Sequence, residues 1–206
     1  EAGCANLSLD LMWGLPGQTL EQWLEDARAA IALGPEHISA YGLTLEPGTP
    51  LAESCGDAEL PSEDVQCAMY LEGIRLLEEA GLHHYEVSNF ARDGFRCRHN
   101  LGEGEGWLEQ VGEGRRCPER EPLDRATRAL ELMMLRLRTV DGLPLDAYES
   151  LAGRSFLGDH GAFAHRLCAE GLARMENGVF RLTDEGMLVS NSILGELFEE
   201  EPKSAE

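Results

Sequence analysis

The chain has 206 residues, of which 43% are hydrophobic, and its 38 acidic and 17 basic residues give a formal net charge of -21. This length and apolar content predict roughly one to two domains with a buried core. The negative charge would repel a phosphate backbone, which excludes nucleic acid as an expected partner. No apolar run approaches the about 20 residues of a bilayer span, and no basic region precedes an apolar stretch at the N-terminus, so neither a membrane span nor a secretory signal is predicted.

The six cysteines are scattered along the chain. They stand at positions 4, 55, 67, 97, 117 and 168, and no two of them form a Cys-x-x-Cys pair. Without such pairs or a secretory signal, the pattern predicts the reduced thiols of an intracellular protein and not a disulfide framework. It also argues against a structural zinc site, whose ligands are closely spaced.

Residues 6–13, NLSLDLMW, predict the first β-strand, because apolar and polar side chains alternate along them. One face would carry Leu7, Leu9, Leu11 and Trp13, and the other would carry Ser8, Asp10 and Met12. A parallel strand this apolar needs neighbours on both sides, yet only a few residues precede it. We therefore expect the chain to be a fragment or a shortened product.

The following segments predict a βαβ unit, then another helix and another strand. Thr19 and Gln22 have the spacing of a capping box, which begins a helix. Helices are predicted over residues 19–33 and 62–81, and further strands over residues 37–45 and 83–90. This α/β pattern indicates part of a (β/α) barrel or of an open doubly wound sheet.

Composition changes at residues 102–118, GEGEGWLEQVGEGRRCP, where glycines alternate with charges and predict a linker. Beyond it we predict a helix over residues 123–139 with Met133 and Met134 in the core, two more helices, a short strand VFRLT and a final helix from Thr183. The predicted organisation is a partial barrel at 1–101, the linker at 102–118, a small, mostly helical, winged-helix-like domain at 119–198 and an acidic tail at 199–206.

Four segments in a fixed order carry a resemblance to a known family. They are DLMWGLPGQT, HISAYGLTLEPGTPL, YEVSNFARDGFRCRHNL and, near the C-terminus, RLTDEGMLVSNSILGELF. In this order they resemble the oxygen-independent coproporphyrinogen III oxidase-like branch of the radical SAM superfamily, in particular its heme chaperone subgroup. The resemblance implies a partial (β/α) barrel in which a closely spaced cysteine triplet holds a [4Fe-4S] cluster, and one open iron binds S-adenosylmethionine (SAM).

The chain departs from this pattern in two places. No three of its cysteines have the spacing of the cluster triplet. In the heme chaperones a Tyr-Trp pair and a glycine-rich strand follow Cys-Arg-His-Asn-Leu, whereas here Leu101 is followed directly by GEGEGW, so we infer an internal deletion. We therefore expect this chain alone to assemble no cluster and to cleave no SAM, and we assign it no catalytic residue and no metal ligand.

The resemblance places Asp10, Met12 and Thr44 in the SAM pocket. Asp10 lies near the carboxyl end of the first predicted strand, where barrel enzymes position their chemistry, and its carboxylate could accept hydrogen bonds from ribose hydroxyls. The Met12 backbone could approach the adenine. The alternatives are an Asp10 that caps the Gly14 turn and an ordinary strand threonine at position 44.

Cys97 and His99 are the candidate heme ligands, because thiolate and imidazole both bind heme iron and the histidine belongs to the subgroup's heme-handling signature. Arg96 and Arg98 could pair with heme propionates, or with acidic residues nearby. The alternative for His99 is a surface histidine beside two arginines.

Three functional hypotheses follow. The first is a shortened heme chaperone-like protein that binds heme and transfers it to a client protein, with SAM and the [4Fe-4S] cluster bound only in complete relatives. The second is a fragment of an oxygen-independent coproporphyrinogen III oxidase-type enzyme of porphyrin biosynthesis, and the third is a non-catalytic protein-interaction module. The family's distribution implies a cytoplasmic location, or alternatively a mitochondrial one.

Overall fold

The computed structural model describes residue 3 and residues 5–55, 60–98 and 124–199. The chain forms two compact units, Glu1–Arg96 and Cys97–Glu206. The predicted linker at 102–118 lies outside the described residues, as does the predicted acidic tail apart from Glu199, so both stay predictions. Within the described ranges, no helix combines the length and the apolar character that a bilayer span requires.

The first unit is a four-stranded sheet with helices. Its elements are β1 (Ser8–Trp13), α1 (Leu20–Ala32), β2 (His37–Gly42), α2 (Pro50–Ser54), α3 (Glu63–Glu79), β3 (His83–Glu86) and β4 (Asn89–Ala91). The strand order is β1-β2-β4-β3, with β1 parallel to β2 and with β4 antiparallel to both β2 and β3. The predicted βαβ unit is therefore confirmed.

The start of α1 is the predicted capping box. The Gln22 amide N–H donates to the Thr19 hydroxyl over 3.3 Å, and the Thr19 N–H donates to the Gln22 side-chain oxygen over 2.9 Å. These two bonds satisfy backbone N–H groups that have no partner inside the helix. Strand β2 is shorter than the predicted 37–45 and ends at Gly42.

The prediction of one strand over residues 83–90 is wrong. The segment forms a hairpin, because Val87 and Ser88 make a turn between β3 and β4. The Glu86 carboxylate holds this turn by accepting from the Ser88 backbone N–H over 3.2 Å and from the Asn89 side-chain amide over 2.6 Å. Local side-chain hydrogen bonds of this kind compete with a continuous strand.

One face of the sheet packs against α1 and α3. Trp13, Ala40 and Phe90 of the strands meet Trp23, Met69, Gly73, Ile74 and Leu77 of the two helices. Trp23 is 1% exposed, and its indole N–H donates to the Met69 carbonyl over 2.8 Å. The predicted alternation in β1 holds: Ser8, Asp10 and Met12 are exposed on the opposite face.

The second unit contains α4 (Arg125–Arg136), β5 (Leu143–Pro144), α5 (Leu145–Ala152), α6 (Phe156–Ala169), β6 (Ala173–Glu176), β7 (Val179–Leu182), α7 (Asp184–Leu188) and α8 (Ser190–Glu199). Its antiparallel sheet has the order β5-β7-β6. Large side chains that are under 2% exposed form the core, including Met133, Leu137, Leu143, Phe156 and Phe180. A mostly helical unit with a small sheet agrees with the predicted fold class.

Three details of the second unit differ from the prediction. Strands β5 and β6 were not predicted, although Asn177 and Gly178, with φ of 52° and 76°, form between β6 and β7 the tight turn that an Asn-Gly pair favours. The single predicted helix from Thr183 breaks at Val189 into α7 and α8. Met133 is buried as predicted, but Met134 is 43% exposed.

Candidate functional site

The sheet face opposite α1 and α3 carries the candidate site of the first unit. We call it the open face and define it by Ser8, Asp10, Met12, His37, Ser39, Tyr41 and Asn89. In a parallel pair, directly opposite residues point to the same side, and the register pairs Asp10 with Ser39 and Met12 with Tyr41. Met12 is 48% exposed and Tyr41 is 43% exposed, so the carboxyl ends of β1 and β2 are accessible.

A row of polar side chains crosses the sheet on this face. Asp10 of β1 lies beside Ser39 of β2, Ser39 lies beside Asn89 of β4, and Asn89 lies beside Glu86 of β3. Asp10 is exposed, whereas Ser39 and Asn89 are each 4% exposed. We call these four residues the polar row.

Asn89 carries an unused acceptor in the polar row. Its amide nitrogen donates to the Glu86 carboxylate, and its carbonyl oxygen Oδ1 is buried with no hydrogen-bond partner among the described residues. A buried polar atom without a partner costs about 1–3 kcal/mol, and this oxygen is closed off from solvent. Of the polar row, Asp10 is exposed and offers its carboxylate to ligand N–H or O–H groups, whereas Ser39 and Asn89 are buried.

His37 connects the open face to β3. Its Nδ1 lies 3.1 Å from the Ser8 hydroxyl oxygen, and its Nε2 lies 2.8 Å from the Tyr85 hydroxyl oxygen. Burial lowers the pKa of His37 below its ordinary value of 6.5, although the Asp10 carboxylate opposes that shift. The imidazole is therefore neutral near pH 7, with one nitrogen donating and the other accepting.

We expect His37 to make the protein less stable as the pH falls from 7 to 5. Because the folded-state pKa lies below 6.5, the unfolded chain binds a proton in this window that the folded chain does not, so acidification favours unfolding. The effect is absent well above pH 6.5 and complete below the folded-state pKa. Urea denaturation at several pH values should show a shallower acid-side loss for His37→Gln. Equal slopes for the two proteins would contradict this.

The structure brings Asp10 and Met12 together on the open face, two residues apart on β1. It places Thr44, which is exposed, outside the sheet, two residues beyond the end of β2. His37, Ser39 and Asn89 were missed from the sequence. The alternation in HISAYG is a signal for the first two, but the position of Asn89 depends on the hairpin register, which no sequence pattern here revealed.

The candidate heme residues follow β4. The chain leaves this strand beside the start of β2, where the Arg92 N–H donates to the Glu36 carbonyl over 2.9 Å and its guanidinium donates to the Pro35 carbonyl over 3.1 Å. Phe95 is then 41% exposed, and the Arg96 guanidinium lies 5.8 Å from the centre of the Tyr85 ring. Cys97 is partly exposed and Arg98 is exposed, whereas His99 lies outside the described residues.

Comparison with known proteins gives agreement in both units. Residues 123–189 match the family described as the HemN C-terminal domain. The chain is 31% identical over 225 positions to heme chaperone HemW of Bacillus subtilis, covering 95% of this chain and 59% of that protein. It is 47% identical over 100 residues to heme chaperone HemW of Haemophilus influenzae, covering 48% of this chain and 26% of that protein.

The fold comparison shows which fold the chain has. Coproporphyrinogen III oxidase (HemN) from Escherichia coli, a radical SAM enzyme, matches with a TM-score of 0.67 and 19% identity over 94% of this chain and 55% of that chain. The chain thus has the fold of part of a radical SAM enzyme. Together with the sequence matches, this shows that it belongs to the HemN-like radical SAM family, in the branch of the heme chaperones.

The chain spans 59% or less of the length of these curated relatives. The alignment with the Bacillus subtilis protein extends over 225 positions, more than the 206 residues of this chain, so it opens gaps on this chain's side.

One cofactor that the family implies is a [4Fe-4S] cluster, and the residues of this chain do not suit it. The six cysteines are too widely spaced for a cluster triplet, and the described residues contain no group of three His, Cys, Asp or Glu side chains that could hold a metal ion. The [4Fe-4S] cluster therefore does not fit the residues present.

Proposed function

We propose that this chain is a heme chaperone-like protein that binds heme through residues 95–99 for transfer to a client protein. The observation that carries the proposal is the composition of residues 95–98 in an acidic chain. An exposed phenylalanine, a thiol and two arginines follow one another there, although the whole protein has a net charge of -21. These groups match the apolar ring, the iron and the propionates of heme.

Each residue of this segment would bind a different part of heme. The Phe95 ring offers an apolar surface to the porphyrin, and the guanidiniums of Arg96 and Arg98 are suited to carboxylates. Cys97, with His99, would supply ligands to the iron. The Arg92 guanidinium donates to the Pro35 and Ala80 carbonyls of the first unit, and we assign it no part in heme binding.

We also propose that Asp10, Met12 and Thr44 belong to the SAM pocket of complete family members. The open face supports this for the first two, because Asp10 stands in the polar row and Met12 lies toward the carboxyl end of the same strand. Thr44 follows β2 at that end of the sheet. We derive no radical chemistry for this chain, since the residues for the cluster are not in it.

Heme binding is tested by titrating the protein with hemin and following the Soret band. We expect saturable binding at about one heme per chain, weakened by about tenfold or more in Cys97→Ala or in His99→Ala, because each removes a candidate ligand of the iron. Matched controls are Cys168→Ala and His83→Ala, which remove the same side chains in the second unit and on β3 and should leave the affinity unchanged. Binding that no variant alters, or that never saturates, would refute the proposal.

The location and the client also belong to the proposal. We propose a cytoplasmic location, which the family resemblance implies. The alternative is a mitochondrial location. It is supported by a Danio rerio relative named "Radical S-adenosyl methionine domain-containing protein 1, mitochondrial". That relative is 42% identical over 98 residues, covering 47% of this chain and 22% of that protein. The client would be a protein that receives heme.

A further inference from the structure

The second unit contains a cavity that the proposed heme function does not use. It has a volume of about 280 Å³ and is enclosed by α4, α5, α6 and α8. We call it the α4–α8 cavity. Its apolar lining includes Ala129, Met133 and Leu197, which are each at most 3% exposed, while Leu130 and Phe198 are each 41% exposed at its mouth. A volume at the small end of ligand sites suits a short chain or a single ring.

The inner wall of the cavity is polar. Tyr148 and His160 are 3% and 4% exposed, and both line it. The Tyr148 hydroxyl donates to the Asp159 carboxylate over 3.0 Å and lies 3.3 Å from Nε2 of His160. Since its single proton is committed to Asp159, His160 must carry its proton on Nε2 to donate to this oxygen. The cavity therefore combines an apolar floor with fixed hydrogen-bonding groups.

The backbone is distorted at this wall. His160 has φ of -126° and ψ of 19° inside α6, so the helix is kinked there. Such departures cost free energy and persist where the surroundings hold them, which is common at ligand sites. Here the contacts with Tyr148, and a ring-to-ring distance of 5.4 Å to Phe156, hold the imidazole.

Two arginines give the mouth of the cavity its charge. The Arg154 guanidinium forms an ion pair with Asp159 over 3.2 Å, and this carboxylate therefore balances the charge of Arg154. Arg125, by contrast, makes no ion pair within the described part of the chain, although acidic residues are more than twice as numerous as basic ones. An arginine left unmatched above an apolar floor in such a chain favours an anionic ligand.

We propose that the α4–α8 cavity binds a small amphipathic carboxylate, whose apolar body lies on Ala129, Met133 and Leu197 and whose carboxylate pairs with Arg125. The site lies wholly in the second unit. It does not depend on heme, on SAM or on an iron-sulfur cluster.

The test uses 4-phenylbutyrate as the probe and isothermal titration calorimetry of the full chain as the readout. We expect saturable binding of one probe per chain, weakened by about tenfold for the uncharged analogue 4-phenylbutyramide and by a similar factor in Arg125→Gln, because each removes one half of the ion pair. Ala126→Leu should also weaken binding, since this exposed residue lines the cavity and a longer side chain narrows it.

Matched controls separate the cavity from general charge and packing effects. Arg128→Gln removes an exposed arginine of the same helix that does not line the cavity, and Ala162→Leu adds the same bulk at an exposed position of α6. Both should bind as the wild type does. The proposal is overturned if the wild type shows no saturable binding, or if 4-phenylbutyrate and 4-phenylbutyramide bind equally well. It is also overturned if Arg128→Gln weakens binding as much as Arg125→Gln does, or if Ala126→Leu leaves the affinity unchanged.

Discussion

Gly186→Ala is expected to destabilise the second unit by about 3 kcal/mol, at the upper end of the cost of overpacking. A β-carbon at Gly186 would lie 1.9 Å from the carbonyl oxygen of Leu172 and 2.9 Å from its carbonyl carbon. The clash is with backbone, and that carbonyl already accepts a hydrogen bond from the Thr183 N–H over 3.0 Å. It therefore cannot move aside as a flexible side chain would. Urea denaturation followed by far-UV circular dichroism measures the change.

Gly195→Ala is the matched control for this substitution. Gly195 is an exposed residue of α8, and a β-carbon there would meet nothing within 4 Å. Alanine is about 1 kcal/mol better than glycine inside a helix, so this variant should be as stable as the wild type or more stable. A Gly186→Ala protein that unfolds at the same urea concentration as Gly195→Ala would show that α7 packs less closely against the Leu172 carbonyl than described.

Trp23→Ala should cost the first unit about 3–5 kcal/mol, as truncations of large buried aromatic residues do. The indole fills the space between α1 and α3, where a β-carbon on Gly73 would lie only 2.9 Å from its Nε1. It also donates to the Met69 carbonyl, so truncation removes a buried hydrogen bond as well as apolar contact. The midpoint of urea unfolding, followed by far-UV circular dichroism, reports the loss.

Two further variants separate the contributions of Trp23. Trp23→Phe keeps most of the apolar volume but removes the indole donor to the Met69 carbonyl, so it should cost about 1 kcal/mol, the net value of one hydrogen bond. Leu33→Ala, at a residue that is 66% exposed after α1, should stay within about 0.5 kcal/mol of the wild type. If Trp23→Ala were no less stable than Leu33→Ala, the layer of α1 and α3 would not form the core of this unit.

Local patterns in the sequence predicted the regular parts of the fold. The capping box of Thr19 and Gln22 marked the start of α1, and the alternation in residues 6–13 separated the two faces of β1. Both signals depend on residues a few positions apart, which is why they could be recognised without the structure. The two hairpins were missed because a short strand carries little periodicity. In the second hairpin, the Asn177 and Gly178 pair was an available signal.

The candidate sites also differ in whether a local sequence pattern could point to their residues. Asp10 and Met12 were proposed because the family resemblance places them in the SAM pocket, and Cys97 because a family motif contains it; all three stay predictions. Asn89 could not be placed beside Ser39 without knowing that β4 runs antiparallel to β2. The α4–α8 cavity is assembled from four helices, so no local pattern could reveal Arg125, Tyr148 and His160 as neighbours.

Because β4 runs antiparallel to β2, the chain leaves β4 far from the end of the sheet where Met12 lies. Because Ala91 pairs with His37, the chain leaves β4 at the start of β2, whereas Met12 pairs with Tyr41 near the opposite end of the same strand. Positions 37 and 41 are four residues apart along β2, which corresponds to about 13 Å. Arg92, which follows β4, and Met12 therefore lie toward opposite ends of β2, so a ligand that bound near Met12 would not block the chain where it leaves β4.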